Sequence, residues 1–190
     1  MAPSDQAATE TEPRPPTQLA SGQPLEAPGL PGNLLEAVRR ARRRFGGAKL
    51  ILEDHLRAAI SYDQLLDSSY ALGARIARMT APGDAVGVML PTSTGALVSF
   101  LALHAAACTP AMLNFTAGAA NLRAACALAG VRLIVTSRRF IEEAKLEPLA
   151  DQVSASRSMV CLEDLRDAIS WYERAAALVS TRTPIRLKAA

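Results

Sequence analysis

Apolar positions along this chain change period at regular intervals, and the changes mark out alternating helices and strands. From Asn33 onward, Leu34, Leu35, Val38, Ala41 and Phe45 recur at helical spacing, with Asn33 as cap and Gly46-Gly47 as stop. Lys49–Glu53 and Ala58–Ser61 read as short strands. Ser61-x-x-Gln64 has capping-box form, and Tyr62, Leu65, Leu66, Ser69, Leu72, Ile76 and Met79 continue a helical stripe behind it. Pro82-Gly83-Asp84 predicts a turn, and Val86–Leu90 is a continuous apolar run of buried-strand type. Pro91-Thr92-Ser93 then offers caps for a helix from Thr94 to Ala107. After Thr109-Pro110 come a strand at Ala111–Phe115 and a helix at Ala119–Ala129, stopped by Gly130. The pattern closes with a strand at Val131–Thr136, a helix from Ser137 to about Lys145, a strand at Ser158–Leu162, and one helix from about Glu163 to Leu178.

Alternation of this kind, with short Gly- and Pro-punctuated connections, predicts an α/β fold of βαβ units with right-handed crossovers and a mainly parallel sheet. There is no internal repeat. Residues 1–32 differ: they hold seven of the twelve prolines and almost no large apolar side chains. Such a segment cannot bury enough surface to offset its ordering entropy, so a disordered tail is expected there. The expected organisation is a tail over 1–32, one folded unit over 33–179 and a patternless tail over 180–190.

Composition narrows the picture little. Net charge is +3, from 21 basic and 18 acidic residues, an ordinary balance that implies no nucleic-acid partner. Cys108, Cys126 and Cys161 are well separated and set among apolar residues, while His55 and His104 stand far from any ligand spacing. Reduced, mostly buried thiols in a cytoplasmic protein are expected, with no metal site. No apolar segment follows a basic start, so no secretory signal is expected.

From Ala85 to Leu122 the chain has no charged residue, which raises the alternative of a membrane hairpin. A spanning helix needs about 20 uninterrupted apolar residues. Pro91, Pro110 and Thr92-Ser93-Thr94 divide this run into lengths suited to buried α/β elements instead.

Candidate chemistry is sparse. Arg39, Arg40, Arg42, Arg43 and Arg44 lie opposite the apolar stripe of the first helix. They read either as a docking face for a phosphate-rich surface or acidic carrier protein, or more plainly as a solvated helix face. Pro91–Gly95 joins a buried strand to a helix, where a phosphate could meet backbone N–H groups, but it lacks interior glycines and a lysine, and a structural cap is the better reading. Glu53-Asp54 and Glu142-Glu143 read as solvated charges rather than metal or acid–base pairs. Asn114-Phe115 ends a strand where it could face a cleft; alternatively Phe115 packs and Asn114 caps the next turn.

The order of these pieces resembles the start of adenylate-forming enzymes. The resemblance is carried by "ISYDQLL" (60–66), "APGDAVGVMLPTS" (81–93), "TPAMLNF" (109–115) and "GVRLIVTS" (130–137). Within that superfamily, "GGAKLILEDHL" (46–56), "PAMLNFTAGAANLRAAC" (110–126) and "VTSRRFIEEAKLEPL" (135–149) look like acyl-acyl carrier protein synthetases, the adenylation domains of 2-acylglycerophosphoethanolamine acyltransferases. The matching stretch covers about 130 of the 190 residues, from Asn33 to Asp167. The resemblance implies activation of a fatty acid with ATP and Mg²⁺, then transfer of the acyl group to acyl carrier protein or coenzyme A. It also leaves open membrane association through a larger membrane-bound acyltransferase.

The family's glycine-rich ATP loop, its nucleotide-binding motifs and its C-terminal lysine domain have no counterpart here, because the last glycine is Gly130 and Lys188 lacks the family context. An N-terminal portion of an AMP-dependent synthetase, inactive alone, is therefore expected, with no catalytic, cofactor or metal residues of its own. The missing half would be encoded separately or lost. The competing expectations are a non-catalytic carrier-protein-binding module and, less favoured, the membrane hairpin.

Overall fold

The computed structural model describes residues 33–54 and 57–182. The tails expected over 1–32 and from 183 onward, together with His55 and Lys188, lie outside the described residues.

The folded unit is assembled around two sheets. Helix α1 (Leu34–Phe45) starts on the Asn33 side chain, which accepts the Glu36 N–H, and stops at Gly46, whose φ of 90° suits glycine. Strands β1 (Leu50–Asp54) and β2 (Arg57–Ser61) pair antiparallel as a separate two-stranded sheet. Helix α2 (Tyr62–Ile76) begins with the capping box expected at Ser61 and Gln64.

Next come β3 (Ala85–Val88), α3 (Thr94–Ala105), β4 (Thr109–Met112), α4 (Ala119–Leu128) and β5 (Leu133–Thr136). The chain continues through α5 (Arg138–Glu143), α6 (Glu147–Ser154), β6 (Ser158–Cys161), α7 (Leu162–Asp167) and α8 (Trp171–Arg182). The second sheet is wholly parallel, in the order β4-β3-β5-β6. This is the α/β architecture that the alternating pattern predicts.

Side-chain alternation explains the layers. Val86 and Val88 on β3 and Leu133 and Val135 on β5 pack with Leu72 and Ile76 of α2 and Leu103 of α3. Ile134 and Met89 instead pack with Leu122 and Cys126 of α4 and Val153 of α6. A third cluster joins Leu35 of α1 to Leu65 and Leu66 of α2 and Leu101 of α3. The uncharged run from Ala85 to Leu122 is thus β3 and β4 of the parallel sheet with α3 and the start of α4. No helix among the described residues is long and apolar enough to cross a membrane.

Three expectations need correction. Pro110 belongs to β4, paired with Val86, instead of preceding the strand; proline is tolerated there because β4 is an edge strand. The helix after Ser137 ends at Glu143, and a further helix, α6, follows with Pro148 in its first turn. The single helix expected from Glu163 to Leu178 is two, α7 and α8, separated at Ala168–Ser170, and α8 runs on to Arg182.

Candidate functional site

Strand order locates the most plausible place for chemistry. The connection from β3 leads to β4 on one side, and the connection from β4 returns across to β5 on the other, so the order reverses between β3 and β5. In open parallel sheets, ligands bind outside the carboxyl ends of the strands at such a reversal. A cavity of about 170 Å³ lies there, lined by Leu90, Pro91 and Ser93 after β3, Ser137 and Arg139 after β5, and Glu163 after β6. Thr136, fully buried, ties the two strands together by donating its hydroxyl to the Met89 carbonyl at 2.9 Å.

Two helices, α3 and α5, start at this crevice, and free N–H groups there would suit an anion. Side-chain oxygens already occupy most of them. At α3, Ser93 Oγ accepts the Ala96 N–H at 3.2 Å, and Asp54 Oδ2 accepts the Thr94 N–H at 2.8 Å. At α5, Ser137 Oγ accepts the Phe140 N–H and donates to Glu163 Oε1 at 2.8 Å. Glu163 also accepts the Arg138 and Arg139 N–H groups at 3.1 and 3.4 Å. Burial alone would raise the Glu163 pKa, but these hydrogen bonds outweigh it and hold the carboxyl below its usual value.

The remaining carboxylate lining the crevice is also engaged: Glu143 pairs with Arg139 at 2.6 Å. The backbone donors at these helix starts are thus largely engaged, and the cationic side chains that line the crevice are Arg139 and Arg166. No cluster among the described residues could hold a metal ion. Pro91–Gly95 is the structural cap that its composition suggests.

Asp54 corrects one expectation. It is not a solvated charge but the partner of a helix start 40 residues away. Glu142 and Glu143 are exposed, as expected of solvated charges.

The residues singled out from the sequence are not brought together. Asn114 is exposed and caps a 3-10 turn over Phe115–Ala117, its Oδ1 accepting the Thr116 N–H at 3.0 Å. Phe115 packs edge-on against Phe140, ring centroids 4.9 Å apart. Neither lines the crevice.

The arginine face of α1 is largely committed within the fold. Arg39 is only 5% exposed, beside Glu36 and hydrogen-bonded to Tyr70, so it does not belong to a solvated face. Arg42 pairs with Asp63, and Arg40 and Arg43 reach Glu36. Arg44 and Lys49 both approach the half-exposed Phe45 ring.

A family model described as AMP-binding enzyme matches residues 38–184. Among solved structures, a benzoate CoA ligase from Burkholderia xenovorans LB400 is similar, with a TM-score of 0.61 at 15% identity over 73% of this chain and 29% of that one. VinN in complex with 3-methylaspartate gives 0.59 at 19% identity, over 79% and 39%. An artificially fused adenylation–PCP di-domain, NpsA-ThdA from Klebsiella oxytoca, gives 0.55 at 16% identity, over 72% and 24%. This chain thus spans between a quarter and two-fifths of the length of these proteins, and its fold is that of the N-terminal subdomain of adenylate-forming enzymes. With more than three-quarters of its residues matched, the chain belongs to the AMP-binding enzyme family.

Proposed function

We propose that this chain supplies the front scaffold of a fatty-acyl-activating enzyme of the acyl-acyl carrier protein synthetase type, with 33–179 as its folded unit, and does not form acyl-AMP by itself. The observation that carries the proposal is that both helix starts at the strand-order reversal are capped from within the fold, α3 by Asp54 and α5 by Glu163. Those carboxylates fix the geometry of the sheet's upper edge and take up backbone N–H groups that a phosphate would otherwise use. ATP and Mg²⁺ must then be held by residues outside this sequence.

Fatty-acyl specificity rests on the short matches at 110–126 and 135–149. Two of the proteins named above are a benzoate CoA ligase and VinN in complex with 3-methylaspartate, so the acyl subtype is the finer part of the proposal. The acceptor would be a carrier protein or coenzyme A. The alternative of a carrier-docking module on α1 has less support, because Arg39 and Arg42 are spent inside the fold.

The test is ATP–pyrophosphate exchange by the purified chain with aliphatic acids, benzoate and amino acids. No exchange above the blank is expected. Exchange with an aliphatic acid would overturn the claim of inactivity, and exchange with benzoate or an amino acid would also overturn the subtype. Adjoining coding DNA, in any frame, is expected to encode a glycine-rich ATP loop.

A further inference from the structure

At the amino end of the parallel sheet, away from the crevice, two arginines stand side by side. β5 and β6 pair from Leu133 and Ser158 onward, and the Ser158 N–H donates to the Arg132 carbonyl at 3.0 Å. Arg132 and Arg157 each precede that first pair by one residue, so the register sets them on neighbouring chains. Both line one shallow hollow, open to solvent, with Ser154, Ser156, Ser158 and Met159.

Like charges opposite one another on adjacent strands repel. Among the described residues no acidic side chain lines the hollow, and neither arginine has an ion-pair partner. Arg157 donates from Nη1 to the Ser156 carbonyl at 2.8 Å, but its Nε is buried without a hydrogen-bond partner. A buried donor on a charged group is costly to leave unpaired. The carboxyl end of α6, at Ser154, attracts a cation. That accounts for Arg157, but not for a second guanidinium beside it or for the unused Nε. The hydroxyls of Ser154 and Ser156 donate to backbone carbonyls, whereas Ser158 is exposed and its hydroxyl is free to donate outward.

We infer that this hollow binds the phosphate group of a small soluble ligand, held between Arg132 and Arg157 with Ser158 as a further donor. A tetrahedral dianion offers charge and oxygens to both guanidinium groups, whereas a monocarboxylate satisfies one. Met159, half-buried, is the only apolar side chain in the lining, so the hollow gives a bilayer nothing to hold and a lipid headgroup is not the source. Binding here is read without ATP or an acid substrate, so its failure and the failure of the acyl-activating proposal are separate results.

The experiment is thermal unfolding of the 190-residue chain against inorganic phosphate at mildly alkaline pH, with ionic strength held constant by chloride. A saturating rise in melting temperature is expected. Acetate should act with at least about fivefold lower apparent affinity. Phosphate also stabilises proteins by exclusion from their surface, so the variants carry the test. Arg132→Gln and Arg157→Gln should each weaken the saturable part at least about fivefold, while Arg44→Gln, the same charge change on α1, leaves it unchanged. Arg132 is exposed, so its variant decides if Arg157→Gln no longer melts cooperatively. A rise that never saturates, equal action of acetate, or an unchanged affinity in folded Arg132→Gln would each overturn the inference. Co-sedimentation with phosphatidic acid vesicles that Arg132→Gln abolishes would overturn the soluble source.

Discussion

At the scale of single residues, the informative groups are those that reach across the sequence. Glu163 receives hydrogen bonds from Ser137, Arg138 and Arg139, some 25 residues away. Replacing it with Gln keeps the shape but removes the charge that favours a helix start, a loss of about 1 kcal/mol at neutral pH. Because the folded carboxyl is held below its unfolded value, this contribution is complete above the unfolded pKa, about 4.3, and fades as pH falls through the folded one. Urea unfolding of both forms should therefore show a gap at pH 7 that closes in acid; a pH-independent gap would contradict this account. Neither Glu163 nor Asp54 could be recognised as a cap from the sequence, because each partner lies on a distant element. Ser61 and Gln64 could, because both halves of the box lie within one turn. Arg39 misleads for the same reason: it is buried and interacts with Tyr70 of another helix, which no pattern within α1 contains.

At the scale of elements, the sequence marks strands and helices wherever period and punctuation agree, and blurs them where one helix follows another. The Ala168–Ser170 break carries a signal, since Ser170-x-x-Glu173 is a capping box: Glu173 accepts the Ser170 N–H at 2.8 Å, and the Ser170 hydroxyl accepts the Glu173 N–H at 3.4 Å. Pro148 likewise marks the start of α6. The approach of α2 to α3 is a different matter, because it depends on a missing side chain. A Cβ at Gly73 would stand 2.7 Å from the Ala102 carbonyl and 3.0 Å from the Ala105 methyl. Backbone cannot yield as a side-chain tip can. Gly73→Ala should thus cost about 1–3 kcal/mol net, although alanine favours the helix itself by about 1 kcal/mol. A lower denaturation midpoint with an unchanged denaturant slope is the expected result; a raised midpoint would mean that the helices separate easily.

At the scale of the whole molecule, the question is what the folded unit leaves uncovered. α8 folds back onto α2, burying Ala177 and joining Thr181 to Asp67 and Glu173 to Arg78 at 3.0 Å. Trp171, however, points away at 80% exposure, and Val179 is 60% exposed, so the helix covers one surface and presents another. Leu128 on α4 is 92% exposed, and Met112 is 56% exposed on the edge strand β4. An open strand edge beside exposed apolar side chains is a template for pairing with a second copy. Self-association is therefore expected, with gel-filtration volume depending on loading concentration. A charge on the edge opposes strand pairing without entering the core, so Met112→Lys should shift the chain toward the monomer while leaving its melting temperature within a few degrees. A concentration-independent monomer would show that α8 alone suffices to close the scaffold. If Met112→Lys associates as before, the contact runs through Trp171 and Val179 of α8 instead of the sheet edge, and substitutions there become the ones that separate the copies.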